Sequence, residues 1–105
     1  MTSFKFSGKL GELIERAECG NDDDVDYIMS HLTINSTIAM TRYVDYALSL
    51  VENPKGINRL EYYLFYGTHI QRNYSCLFFN RRLDYDIVKR AFEEGWIDAI
   101  QAYAR

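Results

Sequence analysis

Proline is almost missing from this sequence: Pro54 is the only one in 105 residues, and glycine is held to six. Disordered chains and linkers are poor in aromatic and hydrophobic residues, whereas this chain is 48% hydrophobic, so that class is excluded. Histidine and cysteine are equally scarce, at two each. A tetrahedral metal site needs three or four ligands, which would consume nearly all of them, so no metal is expected. His69 and Cys76 stand seven apart, a spacing that puts both on one helix face, but the sequence offers them no further ligand nearby. Cys19 and Cys76 read as reduced core thiols, because nothing in the sequence looks like a secretory leader. The opening Met1-Thr2-Ser3-Phe4-Lys5-Phe6 has no apolar stretch of signal-peptide type. No run approaches the ~18 apolar residues of a membrane span. Cytoplasm is the expected compartment. The initiating Met and the lack of a linker suggest a complete short chain, a single helical domain over residues 1–105.

Motifs for chemistry are missing too. The sequence holds no nucleophile elbow, no HExxH, no P-loop and no paired-carboxylate motif, so neither an enzyme nor a cofactor is expected. A net charge of −3 lacks the basic excess that nucleic-acid binding leaves. The acidic run Asp22, Asp23, Asp24 and Asp26 matches the first three ligand positions of a calcium loop. That loop then requires Gly where Tyr27 sits and Glu where Thr33 sits. Carboxylates in the first turn of a helix, facing the positive end of its dipole, explain the run better.

Helical spacing is what the sequence does have. Leu10, Leu13, Ile14 and Ala17 recur at i, i+3, i+4 and i+7, after Ser7 as N-cap and before Gly20 as a stop. Asn21 or Asp22 caps a second helix, whose inward stripe is Val25, Ile28, Met29 and Leu32. A third starts at Asn35 or Ser36, buries Met40, Val44, Ala47, Leu48 and Val51, and ends at Asn53-Pro54-Lys55-Gly56. Residues 57–82 read as two helices broken at Gly67-Thr68. Asp84 opens another helix with Ile87, Val88, Ala91 and Phe92 inward, closed by Gly95. Trp96, Ile97, Ile100 and Tyr103 stripe the last one. No segment alternates with period two. The expectation is an all-α chain of six or seven short helices in antiparallel pairs, stacked as a helical repeat or packed as an orthogonal bundle.

Two stretches carry a resemblance. One runs from Leu13-Ile14-Glu15-Arg16-Ala17 through Gly20-Asn21 to Asp24-Val25-Asp26-Tyr27-Ile28-Met29. The other runs from Cys76-Leu77-Phe78-Phe79 through Asp86-Ile87-Val88-Lys89-Arg90-Ala91-Phe92-Glu93-Glu94-Gly95. Both resemble the helix-turn-helix of ankyrin-type repeats, and HEAT-type helix pairs are similar as well. Aligning Ala17 with Phe79 and Val25 with Ile87 gives an offset of 62, near two ankyrin periods of ~33 residues. The family's Gly before the second helix is replaced in the later stretch by Arg82 or Leu83. The resemblance implies a binding scaffold without chemistry of its own.

The aromatic supply fits that implication. Nine Tyr, six Phe and one Trp are present, and Tyr buries a ring while its hydroxyl wants water or a partner. Tyr62, Tyr63, Phe65 and Tyr66 cannot all face one core, since successive helical residues point ~100° apart. Arg72, Arg81, Arg82, Lys89 and Arg90 form the one cationic concentration, largely offset by Asp84, Asp86, Glu93 and Glu94. Tyr62, Tyr63, Tyr66, Arg72, Arg81 and Arg82 are therefore the candidate interaction surface, toward another protein or a second copy of the chain. The alternative is a small enzyme or ligand-binding domain using a pocket near His69, with Tyr66 and Arg72 close by.

Overall fold

The computed structural model describes residues 7–105, so the reading of the first six residues as no signal peptide lies outside the described residues. Among the described residues the protein is all-helical, with no strand and 72% helix. Seven helices follow in order: α1 (Gly8–Cys19), α2 (Asp22–Met29), α3 (Ile38–Ser49), α4 (Pro54–Tyr66), α5 (His69–Arg81), α6 (Tyr85–Glu93) and α7 (Ala99–Ala102). None is long and apolar enough to cross a membrane. The chain forms two compact units, Met1–Ile57 and Asn58–Arg105.

In the first unit α1 packs on both α2 and α3. Leu13, Ile14 and Ala17 are buried as their spacing predicts, together with Val25, Ile28, Met29 and Leu32. Helices of two or three turns are marginal alone, so this packing is what holds them. Gly20 ends α1 at φ +64, its N–H donating to the Arg16 carbonyl at 2.9 Å. Asn21 then caps α2, and its N–H donates to Asp24 Oδ2 at 3.0 Å. Asp24 also accepts from Arg16 Nε at 2.5 Å. Burial pushes the Asp24 carboxyl up, but Arg16 and the Asn21 N–H outweigh it and hold the group below the usual carboxylate value. The acidic run thus serves the helix start and an ion pair.

Two boundaries differ from the expected ones. The third helix is capped by Thr37, which accepts from the Met40 N–H at 3.0 Å, and not by Asn35 or Ser36. The Ser36 hydroxyl is already committed to the His31 carbonyl at 2.6 Å and the Thr33 N–H at 2.7 Å. The Asn53-Pro54 pair starts a helix where a stop was expected, because α3 has already ended at Ser49. Proline suits the first helical position, where its missing N–H would have no partner anyway. Asn53 Oδ1 caps the new helix by accepting from the Lys55 N–H at 3.0 Å. Its Nδ2 donates to the Cys19 carbonyl at 3.0 Å and to Asn21 Oδ1 at 3.2 Å, pinning the α1–α2 turn to the start of α4.

The second unit holds α5, α6 and α7 against one another. The expected break at Gly67-Thr68 is present: Thr68 accepts from the Gln71 N–H at 3.3 Å and its own N–H donates to Gln71 Oε1 at 2.9 Å. Both α5 and α6 close in a Schellman arrangement. For α6 the N–H groups of Gly95 and Trp96 reach the carbonyls of Phe92 (3.0 Å) and Ala91 (2.9 Å), with Gly95 at φ +86. For α5 the N–H groups of Leu83 and Asp84 reach Asn80 (3.1 Å) and Phe79 (2.9 Å). There the left-handed position is held by a leucine, at φ +65. The final stripe is shorter than expected. Of Trp96, Ile97, Ile100 and Tyr103 only Ile97 is buried, because the Gly95 turn carries the chain off the helix axis and α7 lasts four residues. Phe92, expected inward, is exposed as well.

Two substitutions test these joints. A Cβ on Gly56 would stand 2.3 Å from the Gly20 carbonyl oxygen and 2.9 Å from Val51 Cγ1. Gly56→Ala should therefore cost about 1–3 kcal/mol, despite the better helix propensity of alanine, and denaturant titration will show it. Leu83 is 70% exposed and buries little. Leu83→Gly should stabilise by about 0.5–1 kcal/mol by removing left-handed strain, read as a rise in Tm. A Tm lowered to match the full backbone-entropy cost of a glycine, about 0.5–1 kcal/mol, would show that the strain is not there.

Candidate functional site

Five of the second unit's exposed or half-buried side chains line up in one row. On α4, Leu60, Leu64 and Phe65 take the buried positions. Helical rotation then leaves Tyr62 and Tyr66, one turn apart, 44% and 62% exposed. Their ring centroids lie 5.4 Å apart, and Tyr63 packs edge-on to Tyr62 at 5.6 Å. The Schellman turn after α6 delivers Trp96 to the same place, its centroid 5.5 Å from that of Tyr66. Arg59 lies over the Tyr62 ring at 4.3 Å. At the other end Arg72 lies over Trp96 at 5.6 Å and donates from Nη1 to the Trp96 carbonyl at 2.5 Å. The result is a row of three aromatic rings, Tyr62, Tyr66 and Trp96, bounded by two arginines.

The expected surface is thereby divided. Tyr62, Tyr63, Tyr66 and Arg72 are brought together. Arg81 and Arg82 sit at the far end of α5, nine or more residues from Arg72, about 14 Å along the axis. Arg82 lies over Phe78 at 5.1 Å, with Nε 3.7 Å from Asp84. Arg90 lies over Phe65 at 4.7 Å and 3.8 Å from Glu94. Arg82 and Arg90 are thus each engaged by a ring and a carboxylate within the second unit. Arg72 holds the Trp96 end of the row through its one Nη1 hydrogen bond and its stacking on the Trp96 ring, at the cost of an Nε buried without a hydrogen-bond partner.

Trp96 and Arg59 are the members that the sequence reading missed. The signal for Trp96 was available: Gly at C′ places the next residue off the helix, so a Trp there does not continue the stripe. For Arg59 the i, i+3 spacing to Tyr62 was the clue.

The remaining candidates fall elsewhere. His69 is exposed, and its Nδ1 lies 3.4 Å from Gln101 Nε2. That amide also donates to Asn73 Oδ1 at 2.7 Å and to the His69 carbonyl at 3.1 Å, tying α7 to α5. A cleft in the second unit has none of His69, Tyr66 or Arg72 in its lining. Cys76 is fully buried, which pushes its thiol up to about 12, while Cys19 is exposed and is not the core thiol expected. Cys19 ends α1 just before the Gly20 turn, where the helix face has rotated to solvent. Among the described residues no three His, Cys, Asp or Glu side chains are grouped to hold a metal ion. Comparison with known families, curated proteins and solved structures finds no match.

The dependence of the row on Arg72 is open to direct test, because Trp96 is the one tryptophan. Arg72→Ala should shift Trp96 emission to longer wavelength and cost about 1 kcal/mol of stability. Arg72→Lys should restore little, since an ammonium lacks the planar group that lies over the Trp96 ring. Emission identical to wild type would mean that Arg72 does not hold the turn.

Proposed function

We propose that this protein is a protein-interaction module without catalytic activity, and that the row of Tyr62, Tyr66 and Trp96 is its binding surface. The observation that supports this reading is three adjacent rings left partly exposed and rigidly set. Tyr, Trp and Arg are enriched in interface cores, where they give large contact area at small entropic cost. Arg59 and Arg72 stacked on the outer rings immobilise the row before any partner arrives, which lowers the cost of binding. The scaffold part of the proposal is helical-repeat-like. It draws on two helix pairs, α1–α2 and α5–α6, each joined by a turn with one residue in the left-handed conformation, Gly20 and Leu83. A second copy of the chain is the first partner to test.

Light scattering on a sizing column supplies that test. We expect the mass to rise from 12.4 kDa toward twice that value across the micromolar range. The double substitution Tyr62→Ser with Tyr66→Ser should keep the chain monomeric, with unchanged far-UV circular dichroism. Wild-type protein that stays monomeric, with amide NMR signals of 59–66 and 96 independent of concentration, would sink self-association. Association that survives the double substitution would place the surface elsewhere.

A further inference from the structure

We draw no further inference here: the strongest candidate, the apolar cleft of the second unit lined by Tyr85, Val88, Phe92 and Tyr103, carries none because nothing in the structure shows what covers it.

Discussion

Asn53 is one residue doing two jobs, and the first unit is arranged around it. Its side-chain oxygen caps α4, and its amide nitrogen reaches back to Cys19 and Asn21 in the turn between α1 and α2. That reach is short enough only because the backbones of Gly20 and Gly56 meet with no side chain between them. A left-handed Gly20 makes the turn that ends α1, and a bare Gly56 is needed to let the Gly20 carbonyl approach. In a chain with six glycines, two are spent on this contact. The short helices α1 and α2 would be marginal alone, so a fixed turn between them matters more than their own propensities.

The second unit solves a different problem. It must order a tryptophan and several tyrosines that its core does not absorb. The device is a set of separate arginine–ring pairs: Arg59, Arg72 and Arg105 lie over the exposed rings of Tyr62, Trp96 and Tyr85, while Arg82 and Arg90 lie over the buried Phe78 and Phe65. Weakly hydrated guanidinium groups can do this while staying wet at the edges, which lysine does less well. Six of the seven cationic residues after 57 are arginine, and the stacking gives that choice a physical reason.

How much of this was legible follows from where each signal is stored. The buried stripes of α1 and α2 were readable because i, i+3, i+4 spacing is a local property of the letters. The Gly67-Thr68 break was readable for the same reason, as a cap has a fixed position and chemistry. Pro54 was misread because proline marks both the end of one helix and the first turn of the next, and only the length of α3 decides between them. Leu83 was invisible: nothing in the letter leucine reports a positive φ, which is imposed by the Schellman bonds at Asn80 and Phe79. Of the site, the tyrosines and Arg72 were named, but their assembly depends on Trp96, thirty residues from Tyr66 along the chain. Contacts of that separation leave no periodicity to read.

The two thiols differ in a way that makes the protein its own timer. Cys19 is open to solvent, whereas Cys76 has no exposed surface and a thiol raised to about 12 by burial. Burial keeps the Cys76 thiol protonated, and so unreactive, while the second unit is folded. A thiol-specific reagent therefore marks Cys19 at once and must wait at Cys76 for that unit to open. The lag between the two modifications is a direct reading of how often the second unit comes apart under native conditions, with no probe added to the chain.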